Sequence, residues 1–497
     1  MILLDDLAQA SERVAATRSR SQKVAHLAEV LGRADAAEAE VAATYLGGAI
    51  RQRRTGVGWR SFAAPPPAAS DPTLTVLEVD ATLAHLATLS GPGSQAARTE
   101  ALADLLGRAT EREQRYLAAL VTGDLRQGAL AGLLVDAIAK GAGVALAEVR
   151  RAAMLAGSIP AVALTALTEG AEGLAAYRVR VFTPVLPMLA ASAPTVADAL
   201  EKAAPGRPVA VEAKLDGIRI QAHKRGDEVR LYTRSLDEVT ERFPAVADVV
   251  RAIDADTLIA DGEALALDAQ GRPRLFQDTA SGAAGGLTPY FFDALLLDDE
   301  PLLDLPLSER LARLAERVPA RHMVQRTVTD QRAVAQAFTD HVLAQGHEGV
   351  VVKDVDAPYD AGRRGSAWVK VKPVHTLDLV VLAVEWGSGR RRGWLSNIHL
   401  GAQDGAGGFV MLGKTFKGMT DEMLRWQTGR FLALETHREG HVVFVRPEQV
   451  VEIAFDGLQR STRYPGGVAL RFARVVRYRD DKTASQADTL ETVLALF

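Results

Sequence analysis

The chain changes character near Tyr177, and that break limits its architecture more than any other feature of the sequence. Before it, Val24, Leu27, Val30 and Leu31 recur at helical spacing, as do Leu102, Leu105 and Leu106. The intervening sequence is dense in alanine, the best helix former. Pro65-Pro66-Pro67 and Gly91-Pro92-Gly93 divide this stretch into separate helices. After the break, Pro184, Pro187 and Pro194 precede short β-rich runs at 209–211, 218–223, 229–233, 258–267, 290–297 and 350–353. Helical patterns at 307–317 and 333–343 lie between them. From Leu377 the chain is rich in strands, with turns at Gly387-Ser388-Gly389 and Gly405-Ala406-Gly407-Gly408. The pattern predicts an all-α region over 1–176, a mixed α/β region over 177–374 and a β-barrel over 375–497. A length of 497 residues agrees with three domains at about 150 residues each.

Composition narrows the chemistry. The absence of cysteine excludes disulfides, cysteine–zinc sites, iron–sulfur clusters and a thiol nucleophile, and it suits a reducing cytoplasm. A net charge of −4 excludes a uniformly basic nucleic-acid coat but leaves room for a local basic face. Met1-Ile2-Leu3-Leu4-Asp5-Asp6 has no basic segment ahead of an apolar one, so no secretory signal is expected. The most apolar window, 130–147, is interrupted by Asp136 and Lys140 and falls short of a membrane span. The expected setting is intracellular.

Several short segments carry chemistry. In Val211-Glu212-Ala213-Lys214-Leu215-Asp216-Gly217-Ile218-Arg219, strand periodicity puts Glu212 and Lys214 on one face before a glycine bend. A lone strand-end lysine is usually just solvated, so its neighbours decide its meaning. Arg219 and Arg234 are equidistant from the turn Gly226-Asp227, which makes them cross-strand neighbours on a hairpin. Two adjacent guanidinium groups repel unless an anion separates them, and a phosphate matches their geometry. Asp261-Gly262-Glu263 places a carboxylate after a glycine bend, and Glu348 opens the apolar run Gly349-Val350-Val351-Val352-Lys353. Two such carboxylates can share a hard divalent cation. Lys370 and Lys372 share a face in Trp368-Val369-Lys370-Val371-Lys372. The island Thr122-Gly123-Asp124-Leu125-Arg126-Gln127-Gly128 reads either as a plain helix-to-helix turn or as a turn whose backbone meets a phosphate chain.

Taken in order, Lys214-Leu215-Asp216-Gly217-Ile218-Arg219, Asp261-Gly262-Glu263, Tyr290-Phe291-Phe292-Asp293, Glu348 to Lys353 and Trp368 to Lys372 resemble the motifs of the covalent nucleotidyltransferases. Within that group the chain resembles the ATP-dependent DNA ligases. The segment Leu470-Arg471-Phe472-Ala473-Arg474, followed by Arg477-Tyr478-Arg479-Asp480-Asp481-Lys482, is similar to the last motif of that family's C-terminal OB-fold barrel. Residues 125–128 are similar to a turn of its helical DNA-binding domain.

The resemblance implies three transfers. Lys214 attacks the α-phosphate of ATP, AMP then passes to the 5′-phosphate at a nick in duplex DNA, and the 3′-hydroxyl finally displaces AMP. It further implies that Glu212 accepts from the adenine amino group and that Phe292 stacks on adenine. Arg219, Lys370 and Lys372 supply positive charge, and Arg234 grips the nick 5′-phosphate. Arg364, or its neighbour Arg363, contacts the nucleotide phosphate. Glu263 holds the ribose or a metal, Glu348 holds a metal, and that ion is Mg²⁺ or Mn²⁺. The barrel closes over ATP with the loop 372–376 as hinge. Its cations Arg471, Arg474, Arg477, Arg479 and Lys482, which face only Asp480 and Asp481 nearby, orient the departing pyrophosphate. A monomer near the nucleoid is implied, serving replication, repair, recombination and cell division, with a sliding clamp or repair factors as candidate partners. The alternatives are an RNA ligase or capping guanylyltransferase, and a non-catalytic nucleic-acid clamp. The absence of cysteine removes the NAD-dependent ligases, which carry a four-cysteine zinc site.

Overall fold

The computed structural model describes residues 1–125, 130–274, 276–281, 286–361 and 364–496. Its first third is helical, from Leu4–Ala16 to Gly170–Ala175. Local chemistry sets the helix starts. Thr110 accepts the Glu113 N–H at 3.3 Å while the Glu113 carboxylate accepts the Thr110 N–H at 2.7 Å, and Thr75 with Glu78 repeats the arrangement. Leu27, Leu31, Tyr45, Leu117 and Ile138 belong to one continuous core.

The middle region holds strands β1 (Leu189–Ser192), β2 (Val209–Lys214), β3 (Ile218–Arg225), β4 (Glu228–Thr233), β5 (Thr257–Leu265), β6 (Thr288–Leu297), β7 (Glu300–Pro301), β8 (Arg326–Thr329), β9 (Gly349–Asp354) and β10 (Arg364–Val371). They form two five-stranded sheets, ordered β1-β10-β9-β2-β8 and β4-β3-β5-β6-β7. Helices Val196–Ala203 and Arg332–Ala344 cover the first sheet, and Pro244–Arg251 and Leu307–Arg317 the second. A third apolar cluster joins Ile259 and Leu295 of one sheet to Trp368 of the other. It also takes in Met154 and Leu155 from helix Leu146–Ala156 of the helical region. The Arg151 guanidinium adds two 2.7 Å bonds to Asp304 across the same junction.

The segment that enters the middle region is pinned by a buried histidine. His223 Nδ1 accepts the Phe182 N–H at 2.9 Å, and Nε2 lies 2.9 Å from the Gln221 amide oxygen. A second proton on the ring would point at an N–H, and burial alone holds this group down at about 3. A histidine depressed in the folded state contributes stability above its unfolded pKa of about 6.5 and loses it as pH falls towards 3. Acidifying from pH 7 to 5 should therefore cost about 2 kcal/mol through this residue. Urea unfolding at both pH values checks this, because His223→Gln should remove that share of the loss. An equal loss in both proteins would mean that His223 titrates freely when folded.

The C-terminal region contains β11 (His375–Trp386), β12 (Leu395–Gln403), β13 (Phe409–Thr415), β14 (Glu435–Glu439), β15 (Val442–Val445), β16 (Val450–Phe455), β17 (Gly457–Arg460), β18 (Val468–Arg471) and β19 (Arg474–Tyr478). The long β11 pairs with β12, β15 and β16, and this shared strand organises the barrel. A helix, Asp421–Ala433, packs Leu424, Gln427 and Phe431 into the barrel core. The strand-rich reading of this region did not single out this helix.

Candidate active site

Lys214 ends β2 at the mouth of a cleft of about 660 Å³ between the two sheets and the barrel. In the antiparallel ladder it pairs with Gly349, so residue 348 is delivered beside it. The Glu348 N–H donates to the Lys214 carbonyl at 3.1 Å. One Glu348 oxygen takes the Lys214 ammonium and the other takes that of Lys372. Gly349 has φ +144°, and a Cβ there would collide with the Val371 carbonyl, so this close approach requires glycine. Gly217 plays the matching part after Lys214, because a Cβ would strike the Ala264 carbonyl.

The hairpin register of β3 and β4 is the expected one, with Ile220 opposite Thr233, and Arg219 and Arg234 flank the end of that ladder. The anion bonded to Arg219 in this structure is a protein carboxylate, that of Asp261. Arg219 donates to Asp261 at 2.7 Å and to the Met188 carbonyl at 2.8 Å. Its guanidinium carbon lies 5.4 Å from the Phe292 ring centre and 5.7 Å from that of Trp368. Burial works against the Arg219 charge, and Asp261 outweighs it, so this cation is held firmly protonated. The Tyr359 hydroxyl donates to the same carboxylate at 2.5 Å and accepts the Met188 N–H at 3.1 Å. Arg234 is exposed and lines the cleft from the rim.

Glu263 lies inside β5 opposite Arg219, and Gly262 before it forms a bulge in the pairing with β6 rather than a bend of the strand. Glu263 accepts the Gly217 N–H at 3.2 Å. Burial pushes its carboxyl up to about 7, against the pull of Lys214 and Arg219. Glu212 is buried in mid-strand with Lys353 2.6 Å away. Phe292 and Lys370 complete the cleft wall, and Trp368 stands edge-on to Phe292. Arg363 lies outside the described residues. Arg364 opens β10, and its side chain also lies outside them, as do residues 126–128 of the candidate phosphate-binding turn.

The barrel contributes three residues to the cleft, Asp456, Arg471 and Phe472. Arg471 bonds Asp216 at 2.5 Å, and Asp456 sits 3.8 Å from Lys372. The basic run is not short of partners, in correction of the expected imbalance. Arg474 pairs with Asp456, Arg477 with Glu452, Arg479 with Asp378 and Asp481, and Lys482 with Asp378. Arg471 is the member that reaches the cleft. Asp456 and Tyr359 escaped the motif reading, and Lys353 was read only as the end of a motif, with no role of its own. Asp456-Gly457 repeats the Asp216-Gly217 pattern at a strand end, a signal that could have marked Asp456.

Seven basic and five acidic side chains line the cleft among the described residues, an excess suited to a polyphosphate. A lysine and carboxylates at strand ends, an aromatic wall and a barrel over the opening together define a site for nucleotide chemistry. Comparison with known proteins makes this specific. Residues 187–372 match the ATP dependent DNA ligase domain, 49–139 the DNA ligase N terminus and 391–482 the ATP dependent DNA ligase C terminal region. A probable DNA ligase of Nocardioides sp. is 60% identical over 502 residues, covering 99% of this chain and 98% of that one. A probable DNA ligase of Kineococcus radiotolerans is 60% identical over 503 residues, with both chains covered completely. The solved structure Pmar-Lig_PreS3 shares the fold at a TM-score of 0.64 and 19% identity, covering 95% of this chain and 99% of that one. The chain belongs to the ATP-dependent DNA ligase family, with its helical, adenylation and OB-barrel regions, and it seals nicks in DNA. Among the described residues no helix is long and apolar enough to cross a membrane.

Proposed function

We propose that Lys214 is the nucleophile that carries AMP. The supporting observation is its ammonium at the end of β2, inside a cation-rich cleft and bonded to Glu348 beside Lys372. Lys214 Nζ attacks the α-phosphate of ATP, a P–N bond forms, and the bond to pyrophosphate breaks. AMP then moves to the 5′-phosphate of the nick, and the 3′-hydroxyl attacks that phosphate and releases AMP. The amine must first lose a proton, which neighbouring cations favour.

Glu212 accepts from the adenine amino group, and Phe292 stacks on the base, a contact worth about 1–3 kcal/mol. Arg219, Lys370, Lys372 and Arg364 offset phosphate charge, and Arg234 meets the nick 5′-phosphate. Glu263 and Glu348 both line the cleft, a donor set that suits Mg²⁺, or Mn²⁺ in its place, since Mg²⁺ takes one or two carboxylates together with substrate phosphates. Glu263 and Glu348 are the residues to hold it, and it would neutralise charge developing on the transferred phosphate. The helical region 1–176 grips duplex DNA, 177–374 carries the transfer, and 375–497 closes over ATP about the hinge 372–376. Arg471 brings positive charge towards the departing pyrophosphate. The enzyme works as a cytoplasmic, nucleoid-associated monomer in replication, repair, recombination and cell division, with a sliding clamp or repair factors as its protein partners.

The test is incubation with α-labelled ATP, GTP or NAD and Mg²⁺, followed by denaturation. Covalent label should come from ATP alone and should chase onto nicked DNA. Label from GTP, or none from ATP, would contradict the proposal.

A further inference from the structure

Two cations from the strands on either side of β2 converge on Glu212. Lys353 of β9 stands 2.6 Å from Oε2, and both side chains are 2% exposed. Arg326 of β8 places Nε 3.3 Å from Oε1. Oε1 nevertheless accepts no hydrogen bond, and Arg326 Nε and Nη2 donate none. Lys353 Nζ also lies 4.1 Å from the Trp368 ring centre and 4.5 Å from that of Phe292, and it donates to the Phe292 carbonyl at 3.2 Å. A buried carboxylate thus has one oxygen tied to an ammonium and the other without a donor, next to an aromatic face in the cleft.

The geometry points to Lys353 and Arg326 as positioning residues that set base specificity. They hold Glu212 as an acceptor-only carboxylate whose Oε1 takes the 6-amino group of a purine and repels a 6-oxo group. This inference rests on the adenine contact proposed above. An ionised carboxylate only accepts, so it pairs with a 6-amino group and not with a 6-oxo one. Lys353 and Arg326 fix the direction of the Glu212 carboxylate and supply the positive charge that a buried anion needs. Burial weakens the Lys353 hold on its own proton, and Glu212 and Asp293 offset this only in part. Asp293 is itself paired with Arg310 at 2.7 Å. Methionine at 353 keeps most of the volume and removes the charge.

The experiment compares self-labelling from ATP and from ITP. The native enzyme should favour ATP by at least about 100-fold, as sites built around a specific hydrogen bond do. In Lys353→Met the preference should shrink to less than about 10-fold, because the carboxylate loses the cation that fixes its direction. Arg326→Met, a less buried change, should move the same way. Circular dichroism and a cooperative thermal melt report that each variant is folded. Glu212→Ala separates the two ideas. If it keeps the full ATP preference, the adenine contact itself is wrong. If it loses the preference while Lys353→Met and Arg326→Met keep it, the positioning role alone is overturned.

Discussion

Replacing Lys214 by alanine should abolish transfer of AMP to the protein and all nick sealing that starts from ATP. No other side chain is bonded to Glu348 at the end of β2 in a position to take over the attack. Lys372 shares the same carboxylate but follows β10 on the neighbouring edge of the cleft. Lys214→Arg should fail as completely, because guanidinium stays protonated at any working pH. A nick supplied with AMP already on its 5′-phosphate should still be closed by both variants, since that step requires no lysine nucleophile. Gel assays of the two substrates side by side give the result. AMP bound to the Lys214→Ala protein through an acid-labile bond would exclude this lysine as the carrier.

Glu348→Ala should slow self-adenylation by about 10³-fold, the upper range for losing one fixed electrostatic group in a closed site. Its carboxylate separates the ammonium groups of Lys214 and Lys372, and the substitution leaves the two facing each other with no anion between them. It also removes one of the two carboxylates proposed for the metal. Glu348→Gln restores hydrogen bonding without charge and should be nearly as poor. The loss should extend to nicks that already carry AMP, because phosphate charge must be offset in every step. Single-turnover rates on both substrates measure this. Recovery to within about tenfold by glutamine would assign Glu348 a hydrogen-bonding role instead.

Much of the adenylation region was legible because strand periodicity is local. The two-residue repeat put Glu212 and Lys214 on one face, and the symmetric spacing about Gly226-Asp227 gave the β3–β4 register. Counter-charges were not legible in this way. Asp261 answers Arg219 from 42 residues along the chain, and Asp216 answers Arg471 from 255 residues away. No period links such positions, so the barrel cations looked unpaired until folding brought Asp378, Glu452 and Asp456 to them. Helix Asp421–Ala433 was overlooked because it buries few side chains, and Leu424, Gln427 and Phe431 make a narrow stripe with a polar residue in its middle. The cleft chemistry was written in short motifs, while groups that hold those motifs in place, such as Tyr359 against Asp261, are fixed by the packing of the two sheets.

The most direct measurement is to incubate the native protein with ATP and Mg²⁺ in the absence of DNA, digest it, and locate the nucleotide adduct by mass spectrometry. A single AMP on the peptide containing Lys214, lost when nicked DNA is added, is the predicted result. AMP on another residue, or efficient sealing with no adduct at any time, would contradict the account.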